Sequence, residues 1–246
     1  MQETETVIVE HYRRSANKDV GNVQYRGLRI HALEGVHEFV GDIAARVFAP
    51  GSNVLDLAAG TGAMCMRLKD LGLSPTGSDL VVENFRLHDS MPFVAANFNH
   101  VFPAEFLDRF EGVVASEIIE HLENPRHFLR QCFAVLKPGG HLILTTPNVD
   151  SALSRALLVR IGTFKWFGQQ QYAIDGHITP LPLIVLRNAM AEAGFNILEV
   201  TSVGECDISF WSWWKLHTLA ALLRMVDCGD TPQKEILVIL AQKPKR

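Results

Sequence analysis

With 246 residues, 48% hydrophobic and 20% charged, the chain can bury one large core plus a small lid, and a single domain over 1–246 is expected. A net charge of -4 leaves no overall basic footprint, so bulk electrostatics do not favour nucleic acid as a partner. Cys65, Cys132, Cys206 and Cys228 form no CxxC pair and the polar N-terminus carries no secretory signal, which makes a reducing cytoplasm the expected compartment.

The first fifty residues are mostly polar until Ile43, and Leu33 to Phe48 is predicted as a helix ending at Pro50 and Gly51. Next comes NVLDLAAGTG, Asn53 to Gly62. Val54, Leu55 and Leu57 suit a buried parallel strand, Gly60 and Gly62 let backbone approach a ligand, and Ala63 to Leu71 reads as the following helix. Further on, strands are predicted at Ser74 to Asp79, Pro92 to Asn97, Gly112 to Ser116 and His141 to Thr146. Helices are predicted at Val81 to His88 and Pro125 to Leu136, with a turn at Lys137 to Gly140. Such alternation implies an α/β fold with a doubly wound, mainly parallel sheet that binds ligands at the carboxyl ends of its strands.

Residues 148–182 break the alternation and are expected to form an inserted lid. Leu183 to Ala193 is helical, stopped by Gly194, and strands follow at Phe195 to Val203 and Glu235 to Ala241. Between those strands, 209–226 is an aromatic-rich helix. Its apolar run from Phe210 to Val226 is broken by Lys215, His217 and Arg224 and is too short for the roughly 18 to 20 apolar residues of a membrane span. Core packing, a homodimer interface and peripheral membrane contact are its three readings.

The glycine turn after the first strand decides between cofactors. A dinucleotide fingerprint needs a third glycine where Cys65 stands, which opposes an NAD-linked oxidoreductase. Asp56, four residues before Gly60, sits where a carboxylate takes a cationic amine. DLAAGTG resembles motif I of the class I S-adenosylmethionine-dependent methyltransferases, usually DxGxGxG, with Ala58 at the first glycine. The resemblance implies a Rossmann-like sheet with an antiparallel last strand, a covering segment over 1–50, a cofactor-binding core over 51–147, and S-adenosyl-L-methionine as cofactor. A plain turn joining strand to helix is the bland alternative.

Asp79 and Leu80 of GSDL follow, Asp79 lying seventeen residues beyond Gly62, where its carboxylate accepts both ribose hydroxyls. It matches the family's second acidic motif, although an ordinary turn aspartate would look the same. Asn97 and Phe98 stand where the family frames adenine with an acid beside an apolar residue, here an amide that both donates and accepts. Arg29, His31 and His37 are read as solvated positions, and Trp166 and Phe167 as core packing rather than stacking surfaces.

SEIIEHLENPRHFL, from Ser116, strongly resembles the motif after the fourth strand of the ubiquinone-type O-methyltransferases and of bacterial methyltransferases found with saccharide assembly genes. KPGG at Lys137 and LTTPN at Leu144 extend the likeness, and FKWF, GHITPL and EAGF carry a weaker form of it to about Phe195. Backbone at Ser116 and Glu117 is expected to line the cofactor. Glu117, Glu120 and His121 form an ExxEH set with two chemical uses. In the preferred one His121 is a general base or acceptor clamp, with Glu120 and His177 as catalytic neighbours, and no metal is assigned. In the other, the set holds a divalent ion with His177, as in the small-RNA terminal 2′-O-methyltransferases that resemble it. Structural bracing of the next helix is the third reading.

The expected function is therefore methyl transfer from S-adenosylmethionine to a hydroxyl of a small molecule or saccharide. The alternatives are metal-dependent RNA 2′-O-methylation and a module that binds the cofactor without turnover, for which Ala58 and Asn97 are the support.

Overall fold

Apolar residues alternate about the strands so that each strand buries both faces. Leu55, Val113, Leu142, Leu144 and Ile239 point into one core, whereas Val54, Val114, Ile143 and Val238 point into another. A two-residue period of this kind can be covered only by helices on both sides. The computed structural model describes residues 23–205, 213–226 and 231–245.

The strands are β3 (Asn53–Leu57), β4 (Ser74–Asp79), β5 (Phe93–Ala95), β6 (Phe110–Ser116), β7 (Leu136–Pro147), β8 (Asn196–Val203) and β9 (Ile236–Gln242), preceded by a small hairpin of β1 (Gln24–Tyr25) and β2 (Leu28–Arg29). The large sheet runs β5-β4-β3-β6-β7-β9-β8. Its first five members are parallel, and β9 pairs antiparallel with both β7 and β8, as expected for the last strand. Helices α1 (Val36–Val47) and α2 (Ala63–Asp70) cover one face, and α3 (Pro125–Val135) and α6 (Leu183–Ala193) cover the other. The order reverses between β3 and β6, so their carboxyl ends splay apart and leave a crevice.

Several expectations are corrected. Val81 to His88 is not a helix: only Val82–Asn84 makes a 3₁₀ turn. Asp79 captures the Val81 N–H, Arg86 N–H bonds to Thr61 O, and Phe85 is drawn into a cluster with Ala59, Cys65 and Met91, a set of anchors that an extended segment reaches and a helix does not. The KPGG segment is not a separate turn but lies within β7, where the Gly139 N–H and Gly140 carbonyl bond to Lys243. The first helix starts three residues later than expected because the left-handed Gly35 opens it. The β1–β2 hairpin was not foreseen; its two-residue turn, Arg26 and Gly27, has both φ values positive, a geometry that Asn-Gly usually announces.

The lid is itself helical, containing α4 (Ala152–Ile161) and α5 (Gln169–Ile174). Helix α4 packs on α7 (Trp214–Val226), the described part of the aromatic-rich helix, through Ala152, Ala156, Leu157, Leu216 and Ala220. The start of that predicted helix lies outside the described residues. Among the described residues no helix is long and apolar enough to cross a membrane.

Candidate active site

A cavity of about 600 Å³ opens where β3 and β6 diverge. Its floor begins at Ala58, held at φ 61°, a left-handed conformation that L residues other than glycine seldom adopt. Gly60 follows at φ 52°, and a methyl group built on it would meet the His31 ring at 3.2 Å. Gly62, also left-handed, lies outside the cavity wall: Phe85 and Leu87 press on it, so this glycine serves packing beneath the turn.

At the end of β4, Asp79 accepts from the Gly60 N–H at 2.8 Å and the Val81 N–H at 3.0 Å, which aims its carboxylate along the cavity wall beside Leu80. Burial raises its pKa against the pull of those backbone donors. Asn97 and Phe98 line the same cavity; the Asn97 side-chain carbonyl accepts from Asn99 N–H, and Phe98 is anchored edge-on to Phe102.

Asp56 lies in a smaller cavity of about 30 Å³ below, shared with Arg29, His31, His37 and Ser116. Cys65, at the position of the missing third glycine, donates its thiol to Asp56 at 3.1 Å. Burial pushes the Asp56 carboxyl up to about 7, with the Asp79 charge adding to the rise. His37 is buried too, its Nδ1 makes no hydrogen bond, and burial beside Arg67 holds its pKa down to about 4. Arg29, His31 and His37 therefore belong to the cavity walls, correcting the solvated positions expected for them. Their spacing carries no signal of this; β2 and the first turn of α1 fold them onto one wall.

On the opposite side, β6 ends at Ser116 and the chain turns left-handed at Glu117, φ 52°. Glu117 accepts from Thr145 Oγ1 at 2.8 Å, and its own N–H donates to the same oxygen. Burial pushes this carboxyl up to about 7. Glu120, fully buried, accepts from Thr146 Oγ1 at 3.0 Å through Oε2, whereas Oε1 makes no hydrogen bond and lies 3.9 Å from His121 Nε2. Burial, with the Glu117 charge second, holds Glu120 well above the ordinary carboxylate range.

The lid brings in His177. Ile178 and Thr179 N–H groups donate to the Glu120 carbonyl, and Thr179 Oγ1 donates to Leu122 O, fastening 177–179 beside the 119–122 turn. The His121 and His177 ring centres are 4.8 Å apart, edge to face. Carbonyls only accept, so the bonds of His121 to Gly176 O and His177 to Trp166 O place hydrogens on both Nδ1 atoms. One ligand atom from each of Glu120, His121 and His177 lies within 4.8 Å of the others. Trp166 also lines the cavity, correcting the purely packing role read for it.

A carboxylate at the end of the second long parallel strand, a glycine turn at the switch point and a cavity over both define a class I methyltransferase site. Two observations fit S-adenosylmethionine: the Gly60 turn lines the cavity, and the buried Asp56 faces the side cavity with its carboxyl pushed up to about 7 by burial, a charge that a nearby cation would stabilise. The chain belongs to the methyltransferase domain family, whose model matches residues 29–200. Its cofactor is S-adenosylmethionine. The chain is similar to the ubiquinone biosynthesis O-methyltransferase of Xanthomonas campestris pv. campestris, with 35% identity over 126 residues that cover 48% of this chain and 52% of that one. The chain thus spans about half the length of the curated relatives it matches. An S-adenosylmethionine-dependent methyltransferase from Archaeoglobus fulgidus shares the fold at TM-score 0.58 and 17% identity, over 86% of this chain and 96% of that chain. Haemonchus contortus phosphoethanolamine N-methyltransferase 2, solved with S-adenosyl-L-methionine, does so at TM-score 0.58 and 16% identity, over 100% and 58%.

Proposed function

We propose that the protein methylates a hydroxyl of a small molecule or saccharide, with His121 as general base. The observation that carries this is the His121 ring on the cavity wall, its orientation set by the bond of Nδ1 to the Gly176 carbonyl so that Nε2 is the nitrogen left to take a proton. S-adenosylmethionine supplies, when bound, an electrophilic methyl group on sulfur. Asp79 binds the ribose hydroxyls, Asn97 and Phe98 frame adenine, and Asp56 takes the ammonium of the methionine end. Ser116 and Glu117 line the cofactor with backbone. His121 takes the acceptor's proton, which makes the oxygen a far better nucleophile. Glu120, 3.9 Å away, stabilises the resulting imidazolium, and His177 positions the hydroxyl from the lid side. Much of the rate then comes from alignment. Screening extracts for transfer from labelled cofactor identifies the acceptor, and His121→Ala is expected to cut kcat on it about 10²-fold or more, the scale of a lost general base. An unchanged rate would remove His121 from that role.

Glu120 favours a second reading. A buried carboxylate oxygen without a hydrogen bond, grouped with two imidazole rings, suits a divalent cation held by Glu120, His121 and His177, which would lower the acceptor hydroxyl's pKa. Full activity after exhaustive chelation would overturn it; loss restored by Mg²⁺ or Mn²⁺ supports it. The exposed side chains of Trp214, Leu222 and Met225 on α7, flanked by Lys215 and Arg224, support contact of 209–226 with a membrane surface, or alternatively with a second copy. Vesicle co-sedimentation and analytical ultracentrifugation separate these two.

A further inference from the structure

Trp166 stands in the lid at φ 70°, a conformation that a bulky side chain adopts only where its surroundings impose it. The surroundings here are one carboxylate. Glu235, buried just before β9, accepts the Trp166 indole N–H at 3.0 Å and Lys165 Nζ at 2.8 Å on the same oxygen, Oε2. Lys165 also sits 5.0 Å from the Trp166 ring centre, and its N–H is held by Ser154 Oγ. The backbone of Glu235 takes part as well, since its carbonyl accepts the Asn148 N–H at 2.8 Å where the lid begins.

Held this way, the Trp166 carbonyl points at His177 and accepts its Nδ1–H at 2.7 Å. The bond decides which ring nitrogen carries the proton and which one is left to accept or bind.

We propose that Glu235 is a positioning residue for the active site: through Lys165 and the indole of Trp166 it locks the lid backbone so that His177 presents a bare Nε2 to the reacting centre. This rests on the role given to His177 above, but a part of it is independent of turnover, because the tautomer can be read directly. Glu235 lies 58 residues beyond His177 in the chain and touches neither that ring nor His121, so only the fold links them.

Nitrogen-15 NMR of histidine-labelled protein tests the proposal, with the His177 signals assigned by their loss in His177→Gln. The expected wild-type result is a proton on Nδ1 alone. Trp166→Phe keeps the ring and removes only the indole donor; Glu235→Ala removes the acceptor. Each is expected to give a mixture of tautomers, and the double variant to be no worse than either single one, because both act through one link. With an acceptor in hand, kcat should fall about 10- to 100-fold in each, the range for losing a group that orients an imidazole. KM for the cofactor should stay within about twofold, since Glu235 and the indole hydrogen bond lie outside the cofactor's proposed contacts. A His177 signal that keeps only Nδ1–H in folded Trp166→Phe and folded Glu235→Ala overturns the proposal, and if Glu235→Ala fails to fold, Trp166→Phe decides alone. Should His177→Gln retain full activity, the catalytic role of His177 fails while the tautomer result still judges the Glu235 link.

Discussion

Ala58 shows how a single methyl group is accommodated at the tightest point of the site. The family's glycine is replaced, yet the backbone keeps the glycine-like φ of 61°. The left-handed conformation costs an alanine about 1–2 kcal/mol, against the extra 0.5–1 kcal/mol of chain entropy that a glycine loses on folding. Ala58→Gly is therefore expected to stabilise the protein by about 0.5–1 kcal/mol, seen as a higher urea midpoint at constant slope. Asp79 is a different case, because its carboxylate is oriented by two backbone donors before any ligand arrives. Asp79→Ala is expected to weaken S-adenosylhomocysteine binding roughly tenfold or more, the scale of one or two charge-assisted hydrogen bonds. Unchanged affinity in calorimetry would take Asp79 out of the ribose role. Both residues were legible from NVLDLAAGTG and GSDL. Arg29, His31, His37 and Trp166 were not, because each is an isolated polar or aromatic residue until tertiary contacts turn it toward the cavity.

Among the elements, the sheet was readable because residues buried on both faces leave continuous apolar runs with turn residues between them. The 81–88 segment misled for a definite reason: its pattern permits a helix, but hydrogen bonds to Asp79 and Thr61 compete for its backbone. The lid helix α4 and the C-terminal helix α7 form their own small cluster, apart from the two cores that grip the sheet. Leu216, fully buried at its centre, is the residue to remove. Leu216→Ala is expected to cost about 2–5 kcal/mol locally. Amide exchange should accelerate in α4 and α7 while β3, β6 and β7 remain protected, since a satellite cluster opens as its own unit. Equal acceleration throughout the sheet would show that the lid unfolds only with the whole protein.

For the whole molecule, the side cavity couples folding to pH through two buried groups of opposite kind. Asp56 is pushed up to about 7 from an ordinary value of 3.8, so the stability it confers is present below about pH 4 and is lost as pH rises through 7. His37, held down to about 4 from 6.5, acts in the other direction, and its contribution returns as pH rises from 4 to 6.5. The windows overlap and the two slopes offset one another. Asp56→Asn leaves the histidine unopposed, so the gap between variant and wild-type stability should widen in the variant's favour from pH 4 to 7 in urea titrations without cofactor. A gap independent of pH would mean that Asp56 titrates normally.

From its sequence alone the chain determined its layered α/β fold, its cofactor and the ExxEH motif, because these depend on neighbours a few residues apart: a strand, a tight turn, a capped helix. Only the tertiary structure decided what surrounds the reacting centre. The 177–179 segment reaches His121 through hydrogen bonds to Glu120 and Leu122, Glu120 is left with one oxygen buried and without a hydrogen bond, and the orientation of His177 passes through Trp166 to Glu235. The contacts to Glu120, Leu122 and Glu235 join residues more than fifty positions apart, and no local pattern encodes them: the pairing energy is collected only after the sheet has brought both partners to its carboxyl edge.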